Sequence, residues 1–157
     1  MSAITTQFRE AVIKAVGDAK KTWDFPKSDF AIKRAYIPEL SVQTIPEQGV
    51  LYVISLAFSD PNKLTRTNLV LRELPIMLVY MVKCLPDDVV RLDTLVAITE
   101  NLMEVCRKDV QGLIKGSHWV RTMSMETEEN SPMLFTGLRE GNFFEAHFVT
   151  YYHIPVK

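Results

Sequence analysis

Leu74-Pro75-Ile76-Met77-Leu78-Val79-Tyr80-Met81-Val82-Lys83-Cys84 is the most apolar run of the chain. A short break at Pro86-Asp87-Asp88 follows, and then a segment of clear helical period from Val89 to Cys106. A short, continuous apolar run is compatible with a buried strand or a buried helix on periodicity alone. Its setting decides for a strand. A strand-like segment precedes it, and Asp87 or Asp88 can cap the first amides of a helix directly after it. The reading is a central strand from Leu69 to Cys84, irregular near Arg72-Glu73-Leu74-Pro75, feeding a helix that folds back over it. On that helix Leu92, Leu95, Val96, Leu102, Met103 and Cys106 mark the core face, with Thr99 between. Arg91, Glu100, Glu104, Arg107 and Lys108 form the wet side, with acidic-to-basic order suited to the helix dipole.

Before this centre, Ile4, Phe8, Ala11, Val12, Ala15 and Val16 recur at spacings of three and four. They predict an amphipathic helix capped by Ser2 and closed by Gly17. Residues 18–30 read as a connection whose aromatic residues, Trp23 and Phe25, pack it onto the core. Ala31 to Ile45 reads as strand interrupted by Pro38, hence an edge strand or two short pieces. Pro46-Glu47-Gln48-Gly49 is a turn. Val50 to Phe58 is β-branched and aromatic with two apolar faces, so it belongs inside the sheet. Ser59 to Asn68 is a long polar hairpin connection with Lys63 and Arg66 at its tip, and loops of this kind on a rigid sheet carry recognition.

After the second helix, residues 109–117 read as a loop around Gly112 and Gly116. His118 to Glu126 predicts a strand in which Trp119, Arg121, Met123 and Met125 share one face. Glu126 to Pro132 is acidic and turn-forming, and Met133 to Leu138 fits more than one structure. Phe143 to Ile154 has the cleanest two-residue period. Phe144, Ala146, Phe148, Thr150, Tyr152 and Ile154 share one face; Phe143, Glu145, His147, Val149, Tyr151 and His153 share the other. The second face is too aromatic for open solvent, which predicts a covering helix or another subunit. The order predicts a single α+β domain over 1–157, a mainly antiparallel sheet with two amphipathic helices packed on it.

Composition narrows function by exclusion. The chain has 157 residues, 47% hydrophobic and 24% charged, with a formal net charge of -1. That is globular, without a global pull toward nucleic acid or membrane. No apolar run reaches the roughly 18 residues of a membrane span, and the start lacks a secretory signal, so a soluble protein made in the cytoplasm is expected. Cys84 and Cys106 fall within apolar patterns and read as buried free thiols. No nucleophile elbow, phosphate-binding glycine loop or dinucleotide fingerprint is present. Glu145 and His147, roughly 7 Å apart on one strand face, could approach one metal, but His153 is out of reach and no second ligand pair supports zinc. The expectation is no enzyme, no cofactor and no metal.

The succession of parts resembles the tail-terminator and neck proteins of long-tailed bacteriophages. It runs from the opening helix through Leu51-Tyr52-Val53-Ile54-Ser55, the loop with Thr65-Arg66, and the strand ending in Val82-Lys83. It continues through the helix with Leu92-Asp93-Thr94-Leu95 to the closing strand Phe144-Glu145-Ala146-His147-Phe148-Val149-Thr150-Tyr151-Tyr152. The resemblance implies a non-enzymatic virion subunit of the tail or neck. Such a subunit closes into a ring, typically a hexamer, that caps the tail tube and joins it to the head. Implied partners are its own copies, the tail-tube protein and a head-completion protein, with DNA passing through the lumen without sequence-specific binding. Lys63, Arg66, Tyr151 and His153 are the expected contact residues. The alternatives are a head-completion or connector component, or an α+β ligand-binding module or enzyme unrelated to phage.

Overall fold

The computed structural model describes residues 3–24, 29–35, 45–56, 63–64, 70–110, 114–124, 133–134 and 141–155; at 63–64, 70 and 133–134 it describes the backbone alone. The elements are α1 (Ile4–Lys20), β1 (Ala31–Ala35), β2 (Val50–Ser55), β3 (Lys63–Leu64), β4 (Val70–Lys83), α2 (Val89–Lys108), β5 (His118–Ser124), β6 (Met133–Leu134) and β7 (Phe143–Pro155). The sheet runs β1-β2-β4-β7-β5, with β3 on β4 and β6 on β7. Among the described residues only β1 and β2 pair in parallel. The fold is α+β, a mostly antiparallel sheet carrying two helices.

The apolar run is indeed a strand, and it is the spine of the sheet. Its ladder with β7 runs from Leu71 opposite Pro155 to Lys83 opposite Phe143 without a shift. The irregularity expected near Arg72–Pro75 is therefore absent. Pro75 is tolerated for a geometric reason. Its carbonyl accepts Leu56 N–H at 3.3 Å on the β2 side, just beyond the β2–β4 ladder. A strand residue presents N and C=O to the same side, so the N–H that proline lacks is not owed to β7.

Leu74, Ile76, Leu78, Tyr80 and Val82 of β4 join Phe144, Ala146, Phe148 and Tyr152 of β7 in the main core beneath the helices. Phe8, Val12 and Val16 supply the α1 stripe; Leu95, Ile98, Leu102, Val105 and Cys106 supply that of α2. Leu92, Val96 and Met103 are half-buried flanks, so the stripe of α2 is centred one position round from the expected one, on Ile98 and Val105. Trp23 is half-buried against this core, 6.4 Å from the ring of Phe30. Phe25 lies outside the described residues.

Several local expectations change. α1 does not stop at Gly17; it continues to Lys20, and its C-cap Lys21 is right-handed. Glycine in a helix costs about 1 kcal/mol relative to alanine, and the extra turn sets Ala19 against the core. The N-cap is Ala3, without a side-chain cap bond; Ser2 lies outside the described residues. α2 starts as read, with Asp88 accepting Arg91 N–H at 3.2 Å. β1, the edge strand, is described only to Ala35, so the break at Pro38 lies outside. The polar excursion contains strand β3, Lys63 facing Leu71 and Leu64 facing Val70, so it is partly a short hairpin arm. Gly112, the acidic stretch 125–132 and residues 135–140 lie outside the described residues.

The second face is closed within the chain. Both helices pack on the opposite face, yet Ile45, Val50, Tyr52, Ile54, Val79 and Met81 form a second buried cluster, and Val149 is fully buried. No helix of the described residues supplies side chains to this cluster, so the expected covering helix is not what buries its centre, while Phe143, Tyr151 and His153 stay half-buried.

Candidate functional site

Tyr151 and His153 sit near the end of β7 on this second face. A bulge in β5 decides what they meet. The register passes from Trp119 opposite Tyr152 to Arg121 opposite Tyr151, so Val120 is an extra residue. Trp119 therefore stays on the helix face, where its Nε1–H donates to Thr122 at 3.3 Å. His118, Arg121 and Met123 fall on the other face, opposite His153, Tyr151 and Val149. Simple alternation had placed Trp119 with Arg121; the bulge separates them.

β4 adds the carboxylate. Glu73 lies opposite His153. Arg121 donates to both Glu73 oxygens, through Nη1 at 3.1 Å and through a still closer Nη2 contact. His153 Nε2 stands 3.2 Å from the same carboxylate. The Arg121 guanidinium lies over the Tyr151 ring, 4.1 Å from its centroid, and its Nε–H points to Met123 sulfur at 3.3 Å. The His118 ring meets His153 edge-on at 5.3 Å. Hydrogen bonding to Glu73 raises the Arg121 pKa further, so this group is a permanent cation. Further down the face His147 Nε2 lies 2.5 Å from Glu145.

Tyr151 and His153 are thus brought together with Glu73, Arg121 and His118 in a polar clasp joining β4, β7 and β5. The His153 imidazole and the face of the Tyr151 ring meet partners inside the chain, and both residues remain half-buried. Lys63 begins β3 opposite Leu71, two residues along β4 from Glu73, and only its backbone is described; Arg66 lies outside the described residues. Among the described residues no group of three or more His, Cys, Asp or Glu could hold a metal ion. Sequence reading missed Glu73, Arg121 and His118. The one local signal was charge inside otherwise apolar or aromatic strands.

A different surface stands out at the β4–α2 corner. Leu85, Val89 and Val90 are 57%, 61% and 80% exposed. They are followed or interleaved by Asp87, Asp88 and Asp93, all exposed. Beside Leu85 lies an open cleft of about 490 Å³ lined by Glu47, Lys83, Cys84, Asp88, Arg91 and Asn142. Arg91 is tied there to the Glu47 carbonyl at 2.9 Å. Burial pushes the Cys84 thiol up, and its S–H donates to the Leu85 carbonyl at 3.4 Å. A wider cleft of about 700 Å³ separates the helices, floored by Ala15, Ala19, Trp23 and Val105. At its rim Glu104 pairs with Lys108 at 3.1 Å and with Arg107, just outside the cleft, at 2.9 Å.

A scan against models of known protein families finds no match, and a search of curated proteins finds no relative. The functional reading therefore rests on sequence pattern and surface chemistry. No helix among the described residues is long and apolar enough to cross a membrane.

Proposed function

We propose that the chain is a structural assembly subunit, similar to the tail terminators of long-tailed bacteriophages. It joins copies of itself head to tail into a closed ring, a hexamer by resemblance, on the tail tube. There it meets the tube protein below and a head-completion protein above, while DNA passes without base reading. The observation that supports this reading best is the exposed apolar corner Leu85, Val89 and Val90. It stands at one end of β4, the long strand at the centre of the sheet, whose residues from Leu78 to Val82 are buried. A closed core with apolar side chains left in water at one end suits a subunit completed by a neighbour.

The test is native mass spectrometry with negative-stain microscopy of the purified chain. A ring of fixed subunit number with an open lumen is expected; a monomer at several hundred micromolar rejects closure in isolation. A second reading, a ligand-binding module, is favoured by the inter-helix cleft. Quenching of Trp23 fluorescence by a small molecule, lost in a variant with Ala19→Trp filling the cleft, would support it over assembly.

A further inference from the structure

We propose that the β4–α2 corner is a docking surface for a protein segment in which apolar side chains alternate with lysine or arginine. The proposal deepens the assembly reading by naming a partner chemistry, and it rests on that reading only in taking the corner as a contact surface. Three apolar side chains within six residues stand clear of the chain's own core: Leu85, Val89 and Val90. They remain exposed because the fully buried stripe of α2 begins only at Leu95, and of the apolar residues in the first turn only Leu92 leans on the core. Asp88 fixes that turn by accepting Arg91 N–H, and Arg91 is anchored on the Glu47 carbonyl. The corner is thus preorganised, and a partner need not order it on binding.

Charge selects the partner. Asp87, Asp88 and Asp93 are exposed around the three apolar groups, with Glu47 exposed at the adjoining cleft. Lys83 and Arg91 are the cations of the same cleft, and Arg91 is already turned onto a carbonyl. The acidic side predominates. Asp88 commits one oxygen to its helix, and a carboxylate accepts several hydrogen bonds, so a lysine or arginine entering beside Leu85 can still be bound. Nucleic acid and anionic bilayers meet the wrong sign. Symmetric pairing of two copies through this corner would set one aspartate group against the other. A basic, apolar segment of a different protein meets neither obstacle and covers the exposed side chains.

The experiment titrates the isotope-labelled full chain with two synthetic peptides and follows amide shifts. One peptide is acetyl-Leu-Lys-Val-Arg-Leu-amide; the other has glutamate at both basic positions. The expected result is saturable shifts in residues 85–93 and at Glu47 and Asn142 with the basic peptide, at least tenfold weaker with the acidic one. Val90→Asp, at an exposed position that leaves the core intact, lowers affinity at least tenfold. Asp87→Lys with Asp93→Lys reverses the peptide preference. Equal binding of both peptides, shifts centred elsewhere, or indifference to Val90→Asp overturns the proposal. Sedimentation velocity of the chain alone supplies the other arm. Self-association dissolved by Val90→Asp makes a second copy the occupant and overturns it. A ring that survives Val90→Asp while the variant loses the peptide supports it. Peptide binding by a chain that never closes a ring supports the docking surface and rejects only the ring.

Discussion

Arg121 stacks on Tyr151, its guanidinium carbon 4.1 Å from the ring centroid, while both its arms bind Glu73 across β7. One arginine so links three strands: its own β5, β7 beneath it and β4 beyond. The Glu73 side chain is largely enclosed, so its charge depends on this partner. Removing one member of an enclosed pair leaves the other poorly solvated. Arg121 is itself more than a third exposed, which reduces the effect. Arg121→Met should cost about 1–2 kcal/mol in urea unfolding. Adding Glu73→Gln should recover part of the loss, because no orphaned charge then remains. Equal stability of Arg121→Met and the parent would mean that the clasp contributes nothing.

How far this was legible differs by element. β4 could be recognised because its neighbours, a strand before and a capped helix after, left only one role. The partners of Tyr151 and His153 could not. Glu73 is eighty residues from His153, and Arg121 reaches Tyr151 only through a one-residue bulge that alternation does not announce. Gly17 misled for a related reason. A glycine near the end of an apolar stripe is a good stop signal, but the stripe continued through Ala19. The corner at Leu85, Val89 and Val90 escaped notice because a half-exposed first turn and a buried one share the same apolar letters.

Gly49 and Gly17 should respond oppositely to alanine. Gly49 has φ +98°, and an added Cβ would lie 2.6 Å from Val82 Cγ2 and 3.1 Å from the Met81 carbonyl. Both the backbone conformation and the space are wrong, so Gly49→Ala should cost about 2 kcal/mol or more. Gly17 is in right-handed helix, and its Cβ would meet only Ile32 Cδ1 at 4.0 Å. Gly17→Ala should stabilise by about 0.5–1 kcal/mol. Thermal midpoints of the two variants moving in the same direction would contradict this.

Acid should loosen the end of α2 before it unfolds the core. Hydrogen bonds from Arg107 and Lys108 hold the Glu104 carboxyl down at about 2, against an ordinary 4.5. A folded value below the unfolded one means that the pairing stabilises above about pH 4.5 and is lost as pH falls toward 2. Glu10, held low by its hydrogen bonds with Arg34, acts in the same direction. Both carboxylates lie at the surface, so the effect is small and salt-sensitive. Side-chain carbon shifts should titrate Glu104 near pH 2, and Glu104→Gln should flatten the stability profile between pH 4.5 and 2. A midpoint above 4 would show that the pairs do not form in solution.

The thiols should be silent until the fold opens. Cys106 is completely enclosed in the main core, where burial pushes its pKa up to about 12, and its own carbonyl accepts the Tyr152 hydroxyl at 2.6 Å. At pH 8 the thiolate, the reactive species, is then roughly one molecule in ten thousand. Cys84 is also buried, and burial raises its pKa too. An aromatic disulfide reagent at pH 8 should therefore label neither cysteine in the native protein within minutes and both in 8 M urea. Tyr152→Phe removes the bond to the Cys106 carbonyl between β7 and α2 without changing packing volume. It should speed Cys106 labelling in proportion to the stability lost, about 1 kcal/mol or roughly fivefold, if exchange proceeds by opening of the fold. Cys84 labelled faster than Cys106 in the native protein, with Cys106 following only the global transition, would place the first opening at the β4–α2 corner and not in the core.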